Sequence, residues 1–385
     1  MSDAAPLATS LLDPAAIEAP PTPLAITDFV DDEPLQTKPK RLPGPGLPEA
    51  CAWSFGVVFA HIVSSLPPLI LIGILLAASG MRPEALTNIE NLAPSHLLIL
   101  LGGDQWIFVL LVVAAVAVRW GRATTSRLNL TPLRPLHFAL IAGMVLPLSI
   151  VAGEVYRVVD LAWQPLLRQF PVLEALDASN AVELLAKASN AGSLPVMLLI
   201  IAVAPAISEE LVFRGMVGRG LVARWGVMIG VSMSSLMFAA VHLHPVHAAA
   251  VLPIGFVLHL AYLTTRSFWA PVLLHFLNNA WATIATRLQD GDAMETMKEP
   301  TSGLLLLASG VAIAVLGAML YRTRIRYWLP DGTEWDPGYV TAERPPAGLA
   351  TYRASASESG RSLAISAIVW ISFAVTFAAE IAAAR

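Results

Sequence analysis

Long apolar runs recur along most of the chain and are separated by short polar segments. A helix needs ~20 predominantly apolar residues to cross a bilayer, and most of the runs are about that long. The pattern predicts an all-α fold: a polytopic transmembrane helical bundle with about eight to nine membrane spans. The runs cover residues 52–80, 96–118, 136–159, 194–221, 226–248, 249–265, 267–288, 302–321 and 363–383.

The composition supports a membrane protein and sets the Pro-rich N-terminal segment apart from the apolar remainder of the chain. Apolar residues make up 56% of the 385 residues and charged residues only 14%, whereas a soluble protein has ~25% charged residues. Residues 1–48 hold ten of the 29 prolines and no periodic apolar pattern, which predicts a disordered, Pro-rich cytoplasmic tail. We divide the rest into N-terminal transmembrane helices (49–189), a core with polar motifs (190–290) and C-terminal transmembrane helices (291–385) with a polar loop at 327–362.

The distribution of charge predicts an orientation and excludes some partners. Arginines concentrate in alternate connections, for example at 119, 122, 127 and 134, while the intervening connections are acidic. By the positive-inside rule the N-terminus is cytoplasmic, and we predict a multi-pass protein of a bacterial plasma membrane, surrounded by lipid. The net charge of −4 and the absence of a basic patch argue against nucleic acid as a partner. The single cysteine, Cys51, excludes an internal disulfide and a cysteine-based zinc site.

Three ionisable side chains interrupt the fourth apolar run in the stretch SEELVFRG, residues 208–215. Residues four apart share one face of a helix, so Glu210 and Arg214 are spaced for an ion pair. Glu209 lies ~100° around the helix from Glu210 and is left to point elsewhere. A carboxylate in a water-poor cavity suits a general base. The alternative interpretation is a solvated helix end that follows the charge rule.

Two further polar pairs have the same spacing on later apolar runs. The stretch FAAVH places Phe238 and His242 four residues apart, and HFLNN does the same for His275 and Asn279. Both His275 and Asn279 can donate hydrogen bonds, and two convergent donors are what a developing oxyanion needs. The alternative for each is a hydrogen bond between helices, which is common for His and Asn in membranes.

The cluster HLHPVH, with His242, His244 and His247, also invites a metal interpretation, because imidazole is a common zinc ligand. Pro245 breaks any helix that would align the three rings, and no HExxH motif occurs. We therefore favour a site without a cofactor and keep as the alternative a divalent metal such as zinc, held by His242, His275 and a glutamate. Asp104 and Gln105 are weaker candidates, which we interpret as pairing locally or lying near an interface.

Taken together, EELVFR (209–214), FAAVH (238–242) and HFLNN (275–279) fit the patterns EExxxR, FxxxH and HxxxN. In this order, on successive apolar runs, they resemble the CPBP family of intramembrane proteases, which includes CAAX prenyl endopeptidases of the Rce1 type and the bacteriocin-processing Abi group. The resemblance covers about residues 190–290. That segment is the predicted CPBP-like catalytic core.

The resemblance implies a function and a role for each motif residue. Glu209 is the expected general base that activates water, His242 holds that water, and His275 with Asn279 forms the oxyanion hole. Glu210, Arg214 and Phe238 are expected to support the site. The family has been described both as glutamate-type and as metal-dependent. The implied partner is a peptide or a membrane-protein substrate.

Two other classes of function stay open beside the endopeptidase. One is a non-catalytic membrane immunity or scaffold protein with the same fold, although a scaffold has no need of four costly polar groups. The other is a transporter with a polar midplane site, although the matched halves typical of transporters are not evident.

Overall fold

The computed structural model describes residues 44–80, 92–177, 188, 190–288, 299–334, 350–352 and 356–383. Most of the predicted tail, and residues 335–349 of the predicted polar loop, therefore lie outside the described residues. From Leu42 onward the chain forms one compact unit.

The unit is a bundle of helices, which confirms the predicted all-α membrane fold. The long helices are α1 (Leu47–Ala78), α2 (Pro94–Trp120), α4 (Pro135–Gln169), α6 (Leu194–Ala240), α7 (Pro245–Thr265), α8 (Trp269–Leu288), α9 (Gly303–Arg322) and α10 (Ala356–Ala383). Short helices α3 (Thr124–Leu128) and α5 (Glu174–Asp177) and 3-10 turns at Gly121–Ala123 and Pro171–Leu173 lie between them. Strands β1 (Arg326–Trp328) and β2 (Ala350–Tyr352) form one antiparallel pair.

The nine predicted apolar runs correspond to eight long helices in the described part of the chain, because the fourth and fifth runs both lie in α6, and not every boundary agrees. Among the described residues, seven helices are long and apolar enough to cross a membrane. α8 is not among those seven; it carries His275, Asn278, Asn279 and Arg287, which lower its hydropathy. The predicted boundary between the fifth and sixth runs, at 248 and 249, is wrong: α6 ends at Ala240 and α7 begins at Pro245. A proline fits the first turn of a helix, where its missing N–H has no partner.

Helix α6 is a hairpin whose two arms lie side by side. The backbone turns at Gly226, with φ 76° and ψ 175°, a conformation that side chains with a Cβ rarely adopt. We call residues 194–225 the first arm and residues 227–240 the second arm. The arms touch near the turn, where a Cβ atom on Gly230 would lie 2.4 Å from the Val222 Cα. They also touch farther away, where the Ser234 hydroxyl donates to the Phe213 carbonyl at 3.2 Å. The two motifs EELVFR and FAAVH are therefore brought to the same level.

The first arm is not a regular α-helix. It contains π-helical segments at Leu199–Val203 and Leu211–Gly218, which enclose the α-helical segment Ala204–Glu210. A π-helical turn shifts the hydrogen-bond register and turns the following side chains around the axis, and such turns are frequent at functional sites. The two motif glutamates stand directly before the second π-helical segment.

Candidate active site

The predicted ion pair between Glu210 and Arg214 is present and fully buried. Arg214 Nη1 donates to Glu210 Oε1 at 2.8 Å, and both side chains are 0% exposed. Arg214 Nη2 donates to the Gly255 carbonyl of α7 at 3.1 Å. The guanidinium carbon lies 4.4 Å from the centre of the Phe238 ring, an attractive cation–π geometry. Arg214 therefore ties the first arm of α6 to its second arm and to α7.

His275 of α8 joins the same carboxylate from another direction. Its Nδ1 lies 2.7 Å from Glu210 Oε1. Because a carboxylate only accepts hydrogen bonds, Nδ1 carries the proton, and the ring is oriented by Glu210. The other ring nitrogen, Nε2, lies 4.0 Å from Glu209 Oε2. His275 and Glu210 are 65 positions apart in the chain, yet their side chains are in contact.

Glu209 differs from Glu210 in having no close partner among the described residues. Its Oε2 atom is buried and makes no hydrogen bond there, and its side chain retains 15% of its accessible surface. A buried carboxylate oxygen without a donor costs free energy, so such an atom needs a reason. Glu210 Oε2 also has no hydrogen-bond partner among the described residues, but the Glu210 side chain is 0% exposed. Glu209 is therefore the carboxylate of this pair that a water molecule can reach.

His242 lies in the turn between α6 and α7, outside both helices, and it is half-buried. Its Nδ1 lies 2.8 Å from the Phe238 carbonyl, so Nδ1 carries a proton and Nε2 is directed away from that carbonyl. Burial lowers the pKa of His242, and the charge of Glu209 opposes this effect. A neutral imidazole in this tautomer presents Nε2 as a hydrogen-bond acceptor. The Phe238 ring packs against both histidines, with its centre 5.1 Å from that of His242 and 6.1 Å from that of His275.

Asn279 is placed one turn after His275 on α8 and contacts the first arm of α6. Its amide nitrogen donates to the Ile201 carbonyl at 3.1 Å. Ile201 lies in the first π-helical segment, where the carbonyl register is shifted. This contact uses one of the two N–H groups of the Asn279 amide and leaves the second for another acceptor. Asn279 and His275 thus both face the first arm, as their spacing predicts.

The three histidines of HLHPVH do not converge. His244 is buried, caps the N-terminus of α7 by accepting from the His247 backbone N–H at 3.3 Å, and lies 3.2 Å from Asp177. The rings of His242 and His247 are in edge contact, with their centres 4.7 Å apart. Within the described part of the chain, no group of three or more His, Cys, Asp or Glu side chains is arranged to hold a metal ion. The described residues therefore do not fit a three-ligand metal centre.

One polar cluster near the site was missed at the level of sequence. His61 of α1 places Nδ1 3.2 Å from Asp104 Oδ2 of α2, and the Ser64 hydroxyl donates to the other oxygen of the same carboxylate. The sequence interpretation treated Asp104 as a local or interfacial residue and did not consider His61. The available signal was a histidine and a serine three positions apart in an otherwise apolar helix.

Comparison with known proteins points to one family. Residues 191–281 match the family model described as "Type II CAAX prenyl endopeptidase Rce1-like". The chain is also 25% identical over 92 residues to the "Putative membrane peptidase YdiL" of Bacillus subtilis (strain 168). That alignment covers 24% of this chain and 38% of the relative's length. No solved structure matches the chain.

The long apolar helices define an integral membrane protein, and the two matches relate its segment 191–281 to membrane peptidases. Residues 191–281 contain all three motifs, so this match supports the predicted resemblance to the CPBP family over that segment.

Proposed function

We propose that this protein is an intramembrane endopeptidase that hydrolyses a peptide bond with a water molecule activated by Glu209. The observation that carries the proposal is the partly accessible Glu209 carboxylate: its Oε2 has no hydrogen-bond partner among the described residues and lies 4.0 Å from His275 Nε2. The family match and the name of the bacterial relative support peptide hydrolysis.

The acceptors around Glu209 suit a water molecule that donates both of its hydrogens. Glu209 Oε2 accepts one and His242 Nε2 accepts the other, so a lone pair of the water oxygen is directed at the scissile carbonyl carbon. As the oxygen attacks, its proton moves to Glu209, and a tetrahedral intermediate forms. The C–N bond then breaks, the amine takes up a proton, and the carboxylic acid product leaves. No covalent enzyme intermediate is required.

The donors around the site suit the oxyanion of that intermediate. His275 is oriented through Nδ1 by Glu210, and with both nitrogens protonated it donates through Nε2. The second N–H of Asn279 is the other donor. Glu210 and Arg214 act as positioning residues, since Glu210 orients His275 and Arg214 holds Glu210. Loss of one oxyanion donor typically costs ~2.7–4 kcal/mol of transition-state stabilisation.

An apolar groove beside the motif helix supports a hydrophobic substrate. The groove has a volume of about 390 Å³ and lies between α1 and α2, with Val212 of α6 in its wall. Val212 lies three residues after Glu209 in the first arm, so the groove is close to the motif in the chain. The apolar walls of the groove suit a lipid-anchored or membrane-inserted peptide. The volume falls within the ~300–1,000 Å³ of typical ligand pockets.

The proposal is tested with purified protein in proteoliposomes and two fluorogenic probes, a farnesylated CAAX peptide and an unmodified hydrophobic peptide. We expect Glu209→Gln and His242→Ala to lower kcat/KM by ~10²–10⁴-fold. The matched control is Glu174→Gln, because Glu174 is an exposed glutamate at the start of α5. Equal turnover by wild type and Glu209→Gln would refute the mechanism and favour the non-catalytic alternative.

Chelation in the same assay separates the two mechanistic versions of the protease. We expect turnover to survive incubation with a zinc chelator, because the described residues offer no three-ligand cluster. Loss of turnover on chelation, with recovery on addition of zinc, would replace the glutamate-type mechanism by the metal-dependent one.

A further inference from the structure

The polar cluster of His61, Ser64, Asp104 and Gln105 lies on α1 and α2, outside the segment that matches the family model. Asp104 accepts from three donors: His61 Nδ1 at 3.2 Å, Gln105 Nε2 at 3.1 Å, and the hydroxyl of Ser64. Three partners from α1 and α2 therefore converge on one carboxyl group. The His61 ring is also stacked on Phe108, with the ring centres 3.8 Å apart. Its orientation is therefore fixed by two contacts.

This orientation leaves the second ring nitrogen of His61 available. Nδ1 is directed at Asp104, so Nε2 is directed away from it, and the His61 side chain retains 32% of its accessible surface. The Ser64 hydroxyl donates to the Asp104 carboxylate and to the His61 backbone carbonyl, not to the His61 ring. The cluster is therefore no serine-protease triad, in which the serine bonds to the imidazole. It is an imidazole oriented by a carboxylate, with one nitrogen open to a ligand.

Contacts along α1 place His61 at the level of Glu209. α1 runs antiparallel to the first arm of α6: Arg224 donates to the Pro45 carbonyl at 3.0 Å, and farther along, Val57 and Val212 line the same groove. From Val57 to His61 is four residues, and from Val212 back to Glu209 is three. At 1.5 Å per residue both displacements are ~5–6 Å, in the same direction.

Two further observations place His61 beside the site. Ala60, its neighbour in the chain, lines the groove whose wall includes Val212. Burial is the main cause of the lowered pKa of His242, and His61 is among the groups that lower it further, which places the two rings within electrostatic range. Of the titratable groups around His61, Asp104 from α2 is in contact with it, and Glu209 lies at the same level on the first arm.

We propose that His61, oriented by Asp104, is a further catalytic residue, the general acid that protonates the leaving amine. This inference rests on the proposed endopeptidase function. Glu209 and His242 hold the attacking water. His61 extends from α1, where α1 packs against α2. The imidazolium of His61 donates its Nε2 proton to the amide nitrogen as the C–N bond breaks. Neutral His61 then regains a proton through water from Glu209, which received one from the attacking water.

The role of Asp104 follows from that of His61. Asp104 does not touch the substrate; it is a positioning residue that fixes the tautomer of His61 and stabilises its imidazolium. The reaction is a simple hydrolysis, which consumes one water molecule and needs no other reactant. Ser64 and Gln105 hold Asp104 in turn.

The test compares an amide probe with its thioester analogue, in which sulfur replaces the scissile nitrogen. A thiolate leaves without a proton, because a thiol has a pKa of ~8.5, so the thioester does not need a general acid. The amide probe is whichever of the two peptides above the wild type cleaves. We expect His61→Gln to lower kcat for the amide by ~10²–10⁴-fold and kcat for the thioester by only a few-fold, with KM little changed.

Asp104→Asn should have the same selective effect, because an amide cannot stabilise the imidazolium. The matched control is His96→Gln, a histidine near the N-terminus of the same α2 helix. Equal losses on amide and thioester, at an unchanged melting temperature, would overturn the inference and leave His61 as a structural residue. Unchanged amide turnover in His61→Gln would overturn it as well. Because Glu209→Gln is measured in parallel, failure of this inference is distinguishable from failure of the proposed function.

Discussion

The buried pair of Glu210 and Arg214 predicts an unusually large loss of stability when Arg214 is replaced. In Arg214→Ala the Glu210 carboxylate stays at 0% exposure without its guanidinium. Breaking a buried ion pair by removal of one partner costs ~3–5 kcal/mol. The cation–π contact with Phe238 at 4.4 Å adds up to ~2 kcal/mol when it is desolvated, part of which is the same loss. At 1.4 kcal/mol per factor of ten, we expect a drop of at least ~100-fold in the unfolding equilibrium constant.

The matched control is the surface pair of Arg119 and Glu49. Its Nε–Oε1 distance is 2.9 Å, close to that of the buried pair, but the two side chains are 45% and 37% exposed. Exposed ion pairs contribute ~0–1 kcal/mol, so Arg119→Ala should change stability little. The comparison therefore isolates burial, since the chemistry and distance of the two pairs are nearly the same.

The assay is reversible unfolding in mixed detergent micelles, followed by tryptophan fluorescence. A double-mutant cycle with Glu210→Gln completes it, because the double variant no longer buries an uncompensated charge. We expect the double variant to lose less than the sum of the single changes, by ~0.5–3 kcal/mol. An Arg214→Ala variant no less stable than Arg119→Ala would refute the reasoning that this pair is a buried, dry contact.

Three further predictions concern the turns and the pH dependence of the site. Gly226→Ala forces a Cβ into φ 76° and should lower the free energy of unfolding by ~1 kcal/mol or more, with a loss of turnover. Gly80→Ala, at the same φ of 76°, should cost a similar amount of stability but leave turnover unchanged. Equal turnover in the two variants would contradict the role of the α6 hairpin in aligning the motifs. His244→Ala removes the N-cap of α7 and should lower the free energy of unfolding by ~1 kcal/mol, measured by melting. Turnover per folded molecule should stay the same. A loss of turnover without a loss of stability would favour the metal interpretation. Because burial lowers the pKa of His242, the imidazole stays neutral below its ordinary pKa of ~6.5. The acid limb that His242 contributes to kcat/KM should therefore lie below pH ~6.5, and a loss of activity as the pH falls through 7 would argue against it.

The spacing of residues in the sequence was sufficient to predict the contacts made within one helix. Glu210 and Arg214 pair because four residues make about one helical turn, which is a local property of the chain. The same reasoning predicted that His275 and Asn279 share a face, and both contact the first arm of α6. The class of fold followed from the apolar runs, since a membrane restricts a spanning chain to helices or barrels.

The boundaries near residue 245 were harder to predict, because apolar residues continue through the turn. Val241, Leu243 and Val246 look like parts of one apolar run, but Leu243 adopts φ 61° and α7 begins at Pro245. The turn at Gly226 likewise gave no strong signal, because glycine is common in membrane helices. Its positive φ is visible only in the structure.

What the sequence by itself determined is the set of groups and their helical faces: Glu209 separate from the Glu210–Arg214 pair, and His275 in step with Asn279. Only the tertiary structure decided which faces meet, because packing between helices depends on contacts far apart in the chain. It brought His275 to a carboxylate 65 residues away. It also joined His61 to Asp104 across 43 residues, a pairing that no local spacing encodes. Helical periodicity is local and can be read from sequence, whereas the convergence of several helices on one site is a property of the whole bundle.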